Sequence, residues 1–223
     1  MGGGFQAIDI ILFAVLALFL IFKLGSVLGR RGEDEGHKAD TLSIPDRNQT
    51  TNDNVVELQG RHTPTAEEIA SMTPLEAGIA QIKIADPSFR EKEFIKGARM
   101  AFEMILDAFA KGDVKLLKTL LDTTVFENFS GAIQEREKAG HELETTIVGI
   151  DESEIIRASL DKNLASVTVK IVTEQVNALK DAAGEIIEGD PANVVKVTDV
   201  WTFCRNTKSN NPNWLLVATG SEG

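Results

Sequence analysis

Tyrosine is absent from the chain, cysteine occurs once and histidine three times. Each scarcity closes off a class of chemistry. The single thiol, Cys204, can form no internal disulfide and no multi-cysteine metal site, and it suits a reducing compartment as a small hydrophobe in a strand. His37, His62 and His141 are scattered without metal-ligand spacing, so no metal site is expected. No nucleophile elbow, phosphate-binding loop or dinucleotide fingerprint occurs, and the missing tyrosine removes a common proton donor of helix-and-curled-sheet enzymes. Cations are in deficit: 23 lysines and arginines stand against 34 aspartates and glutamates, a formal net charge of -11. That balance excludes nucleic-acid binding by bulk electrostatics and leaves any lipid contact local and mostly apolar. These residues predict a non-enzymatic protein without cofactor or metal.

What the chain does have starts at its amino end. Ile8 to Leu24 is apolar without a break from Ile10 to Phe22, with Asp9 and Lys23 bracketing the run. A helix over Phe5 to Leu28 would reach about 36 Å at ~1.5 Å per residue, enough for a ~30 Å hydrocarbon core. Ile8, Ile10, Ile11, Leu12, Phe13, Leu16, Phe19, Leu20, Phe22 and Leu24 would face lipid. The basic residues Lys23, Arg30 and Arg31 all follow the run, none precedes it, and no small-x-small cleavage site is evident. This order predicts an uncleaved single-pass anchor over residues 1–31, amino end outside and the rest in the cytoplasm, or in the matrix of an organelle.

Residues 32–72 are polar and acidic, punctuated by Pro45, Gly60 and Pro64, and read as a flexible tether. Within it Val55 to Leu58 could dock as a short strand, and Thr65 to Glu68 could begin a helical turn.

Residues 73–223 carry the domain. Thr73 caps a helix with Pro74 at its first position and Leu75, Ile79 and Ile82 on one face. Asp86 with Pro87 repeats the signature and predicts a second helix from Pro87 to Gly112, striped by Phe94, Ala98, Ala101, Ile105 and Phe109. A short helix follows over Val114–Leu121. The next one, capped by Asp122 or Thr123, buries Val125, Phe126, Phe129 and Ile133 before Gly140.

Beyond His141 the period changes from 3.6 to 2. Strands are expected at Glu142–Ile150 and Glu154–Leu160, divided by a turn at Asp151, then at Leu164–Val176, Val194–Arg205 and Trp214–Thr219. Turn residues at 161–163, 181–184, 189–191 and 210–213 separate the later ones. Helices followed by hairpin-linked strands imply an α+β fold, helices packed on a curved antiparallel sheet.

Three features bear on function. Asp199 shares strand parity with Val197, Trp201 and Phe203, so it points to the apolar side, either as a rim carboxylate or as a base in a cavity. Phe126, Phe129, Ile133, Trp201, Phe203 and Trp214 are either plain core or the wall of a pocket for an acyl chain or a partner's side chain. Leu75, Ile79, Ile82 and Phe89, with Lys83 and Arg90 nearby, are either core or a detachable element lying on membrane or partner.

The anchor run with SVLGRR after it, the segment GARMAFEMILDAFAKGD, and DVWTF with PNW together resemble the Tim44-like proteins, and more narrowly the bacterial TimA group. The resemblance covers nearly the whole chain. It implies an NTF2-like, cystatin-like α+β domain with an apolar pocket between helices and sheet. It also implies a peripheral inner-membrane adaptor, whose mitochondrial relative recruits a DnaK-type chaperone to the import channel and touches cardiolipin-rich membrane through helices where Leu75, Ile79, Ile82 and Phe89 fall. This chain departs from the pattern in carrying its own apolar run and a short acidic stretch in place of the chaperone-binding region. The expectation is thus an adaptor on a bacterial inner membrane, or alternatively a mitochondrial one, with membrane lipid and a membrane or chaperone protein as partners. The other readings are a lipid or small-hydrophobe carrier and an Asp199-dependent enzyme.

Overall fold

The computed structural model describes Ile69 and residues 71–222. The expected anchor, its flank of Lys23, Arg30 and Arg31, and nearly all of the tether lie outside the described residues. Among the described residues no helix is long and apolar enough to cross a membrane.

Within this part the helices precede the strands, as the change of period predicts. In order they are α1 (Pro74–Ala85), α2 (Glu91–Lys111), α3 (Val114–Leu120), α4 (Thr123–Lys138), β1 (Glu142–Asp161), β2 (Leu164–Lys180), β3 (Ile186–Gly189), β4 (Val195–Asn206) and β5 (Leu215–Glu222). Helix boundaries follow local chemistry. The Thr73 hydroxyl accepts from the Glu76 amide at 3.3 Å while the Glu76 carboxylate accepts from the Thr73 amide at 2.9 Å, a reciprocal cap on α1. Gly112, in the left-handed region at φ 72°, ends α2. The Asp113 carboxylate then caps α3, and Asp122 caps α4 through the Val125 amide.

The start of α2 corrects the sequence reading. Instead of continuing from Pro87, the helix begins at Glu91. The Asp86 carboxylate accepts from the Ser88 amide at 3.0 Å and from its hydroxyl at 2.6 Å, which folds the segment into a turn and sends Phe89 into the core.

The sheet is antiparallel, in the order β1-β2-β4-β5, with β3 also on β2. β2 is its centre: β1 runs along one side, while β4 and then β3 take the other. Ala165, Val167, Val169 and Ile171 on β2 are fully buried and share one core with Phe102 and Ile105 of α2 and Leu117 of α3. Phe102 packs on Trp201 with ring centres 4.6 Å apart, and Phe109 on Phe129 at 5.1 Å. Arg136 of α4 closes the end of α2, donating to the carbonyls of Phe109 at 2.8 Å and Ala110 at 2.9 Å.

Two further expectations change. The turn at Asp151 does not form: β1 is one strand of 20 residues whose register against β2 slips between Ile147 and Gly149, Ile150 and Glu152, and Ile155 and Arg157. These bulges bend the strand without ending it, and the Asp151 carboxylate pairs with Lys196 of β4 at 2.8 Å. β3, unassigned in the sequence reading, fills the interval between two turn signals as β2 runs on to Lys180.

The bent β1 receives α1 at very short range. A Cβ on Gly78 would lie 1.9 Å from the Ala158 carbonyl oxygen, so only glycine permits this approach. Gly97 on α2 has nothing within 4 Å. We predict that Gly78→Ala lowers unfolding free energy by about 2 kcal/mol or more through overpacking against backbone. Gly97→Ala should raise it by roughly 0.5–1 kcal/mol through helix propensity. Urea titration of both variants checks the pair, and equal effects would contradict the contact.

Candidate functional site

The Asp86 turn positions the candidate site. It delivers Phe89 beside Phe94 of α2, with ring centres 5.7 Å apart, and both meet Trp214, at 5.8 and 4.8 Å. Phe94 also abuts Phe203 near the end of β4 at 6.1 Å, edge on. Such tilted and edge-on pairs are the favourable aromatic geometries. Ala98, Ala101 and Leu120 continue the wall and leave a groove of about 440 Å³, with Arg90, Glu93, Thr119 and Asn213 at its sides.

One ion pair crosses the site. Arg205 at the end of β4 donates through Nη2 to Asp86, and the two side chains are 13% and 12% exposed. The Arg205 guanidinium lies 5.3 Å from the centre of the Trp214 ring, and burial lowers its pKa from the usual value. Its Nε is buried without an acceptor among the described residues. The groove thus offers aromatic walls beside one half-sequestered ion pair, suited to an apolar body.

The residues singled out in the sequence distribute themselves as follows. Phe203 and Trp214 line the groove. Phe129, Ile133 and Trp201 are sealed in the core, with Phe126 half-buried against it. On α1, Ile82 is fully buried while Leu75 and Ile79 are half-buried; Phe89 lies buried in the following turn. Sequence reading missed the Asp86–Arg205 pair and the part played by Phe94. Asp86 reads as a helix cap and Arg205 as a strand end, and nothing local links residues 119 positions apart.

Asp199 sits on β4 opposite Ile171 of β2 and Ser221 of β5, on the side that carries Trp201 and Phe203. Burial pushes its carboxyl up to about 7, and a hydrogen bond from Trp201 offsets part of that rise. Farther along the same side of β2, Thr173, Gln175 and Asn177 form a buried polar row: Gln175 donates to Thr173 at 2.7 Å, and Asn177 to Gln175 at 3.3 Å. Among the described residues no group of three or more His, Cys, Asp and Glu is placed to hold a metal ion.

With this geometry in place, the comparisons can be read. The family model described as the Tim44-like domain matches residues 75–221. The chain belongs to the Tim44-like family. Among Tim44-like relatives, the human mitochondrial import inner membrane translocase subunit is 23% identical over 143 residues, covering 64% of this chain and 32% of that protein. The Saccharomyces cerevisiae subunit is 28% identical over 131 residues, 57% of this chain and 30% of its own length. The chain therefore spans about a third of these mitochondrial relatives. An uncharacterized protein of Rickettsia prowazekii is 25% identical over 224 residues and matches end to end, at 95% and 96% coverage. Of solved structures, the intermembrane-space region of the chloroplast protein ARC6 superposes with a TM-score of 0.41 at 12% identity over 57% of this chain and 95% of that one, too slight a likeness to bear on function.

Two predictions follow from the buried charges. Asp86→Asn removes one partner of a desolvated pair and should lower stability by about 3 kcal/mol, whereas adding Arg205→Met, which removes the stranded cation and leaves an amide oxygen for Ser88, recovers most of that loss; urea unfolding of both variants decides. Asp199 binds its proton more tightly folded than unfolded, so its stabilising effect is complete below the unfolded pKa of 3.8 and is lost as pH rises through about 7. Asp199→Asn should therefore unfold at higher urea than the wild type near pH 8, with most of that advantage gone near pH 5. A wild-type advantage near pH 8 would show that the carboxylate form is the stabilising one.

Proposed function

We propose that this chain is a non-enzymatic adaptor at a membrane whose groove receives an apolar segment of a protein partner. The observation that carries the reading is the convergence of Phe89, Phe94, Phe203 and Trp214 around Arg205 in an open groove. Tryptophan and arginine are the residues most enriched where protein interfaces concentrate their binding energy. Membership of a family whose mitochondrial relatives are named inner-membrane translocase subunits supports a place in protein translocation or membrane-protein assembly. The apolar run from Ile10 to Phe22 and the basic residues after it support a membrane anchor with the domain on the cytoplasmic side, and the end-to-end match to a Rickettsia protein supports a bacterial inner membrane. A mitochondrial inner membrane is the alternative address.

The groove volume of about 440 Å³ also favours a second reading, a carrier of a lipid or small hydrophobe, because small-molecule pockets span roughly 300–1,000 Å³. An in-cell photocrosslinking experiment separates the two. With a photoreactive residue replacing Asn213 at the groove, the adaptor reading expects one dominant protein adduct that disappears in a folded Trp214→Ala variant. A stoichiometric copurifying lipid with no protein adduct would replace it with the carrier reading. Adducts unaffected by Trp214→Ala would remove the groove from the function.

A further inference from the structure

One face of α2 carries a run of like charge that the described residues do not balance. Lys92, Lys96 and Arg99 are exposed at spacings of four and three residues, so they form one stripe along the helix. They line a shallow depression of about 350 Å³ that also includes Glu103. None of the three cations has an ion-pair partner among the described residues, whereas the cations that flank them, Lys83 and Lys111, are paired with Glu91 at 2.5 Å and Asp107 at 2.8 Å. Like charges at these spacings repel one another and weaken a helix, so the stripe gains from any anion that settles on it. Read from Lys92 to Glu103 the signs run plus, plus, plus, minus, over about 16 Å at ~1.5 Å per residue.

The complementary order stands in the chain's own sequence ahead of the described residues. Arg30 and Arg31 are followed by Glu33, Asp34 and Glu35. Laid antiparallel to α2 in extended form, this segment sets Arg31 opposite Glu103, Glu33 opposite Arg99 and Glu35 opposite Lys96. The spacings agree: alternate residues of an extended chain lie about 6.8 Å apart, and residues four apart on a helix about 6 Å. An acidic protein arriving from solution would be repelled by a chain whose formal net charge is -11. The Glu33–Glu35 segment has no such approach to make. Joined to the stripe through residues 36–91, it meets it at an effective concentration on the order of 1 mM.

We propose that the Lys92–Lys96–Arg99 stripe of α2 is the docking site of this chain's own Glu33–Asp34–Glu35 segment, bound antiparallel with Arg31 against Glu103. The contact is an intramolecular latch. Closed, it ties α2 to residues that follow shortly after the apolar run ending at Phe22; open, the domain is joined to that run through the whole of residues 32–72. The latch therefore sets how far the groove can reach. It rests on the charge pattern and on nothing that enters the groove.

The test uses the full chain in nanodiscs of phosphatidylcholine alone, where no anionic lipid competes for the stripe. Spin labels are placed by Gly36→Cys and Met100→Cys in a Cys204→Ser background, and pulsed dipolar spectroscopy reads the distance between them. The expected result at low ionic strength is a sharp short-distance population that disperses in ~0.5 M salt. That population should fall about fivefold or more in K92E/K96E/R99E, fall as far in E33K/D34K/E35K, and return when the two sets of reversals are combined. Dilution with unlabelled chain should leave it unchanged. Absence of the short population, its persistence in either reversed variant, or no return in the combined chain would each overturn the proposal. Loss on dilution would do so too, by showing a contact between copies. Crosslinks from position 213 report on the groove alone, so failure of the adaptor reading and failure of the latch are told apart.

Discussion

The contact on which the domain's arrangement depends is the ion pair between Asp86 and Arg205. It joins the turn between α1 and α2 to the end of β4, and thereby ties the helical layer to the sheet. Asp86 uses one carboxylate oxygen on Ser88 to make the turn and the other on Arg205 to anchor it. The turn in turn decides where Phe89 points and where α2 begins. Isolated from water, such a pair adds little net stability over an apolar replacement, since desolvation offsets most of its attraction. What it does here is geometric: it fixes the turn that starts α2 against the end of β4.

A second constraint acts at the opposite end of α1. β1 runs the full length of β2, and a flat strand of that length would hold a helix at the usual spacing between layers. Its bulges bend it instead, and α1 presents Gly78 rather than a side chain to the bent part. α1 is therefore fixed at both ends, by backbone contact on β1 and by the Asp86 pair at its last turn. A helix held in this way contributes Ile82 to the core and leaves Ile84 exposed.

Much of this was legible in the sequence wherever the signal is local. Thr73–Pro74, Gly112, Asp113 and Asp122 marked helix ends because caps act over three or four residues, and the stripe of α2 followed from its period. Asp151 misled because an isolated acidic residue resembles a turn, and only the neighbouring strands show that a bulge and Lys196 accommodate it. Pro87 misled because the rule for a capped helix start contains no term for a distant arginine. The aromatic set drawn from the strands and α4 mixed core with groove: parity along a strand tells which side a residue faces, not whether a helix covers it. Trp201 is covered by Phe102 in the middle of α2, while Phe203 and Trp214 meet Phe94 in its first turn, where the groove opens.

That end effect explains why one helix bounds two different surfaces. Along α2, Phe94, Ala98 and Ala101 turn toward the groove, and Lys92, Lys96 and Arg99 line the separate depression on another face. Both sets follow from a single helical phase, so rotating the helix to change one would change the other. α2 is 21 residues long, packed through Phe102, Ile105 and Phe109 and closed at its carboxyl end by Arg136, which leaves it little freedom to rotate. Whatever touches the basic face is then held at a fixed orientation to whatever enters the groove. A domain built this way holds its two surfaces at one fixed angle without any moving part.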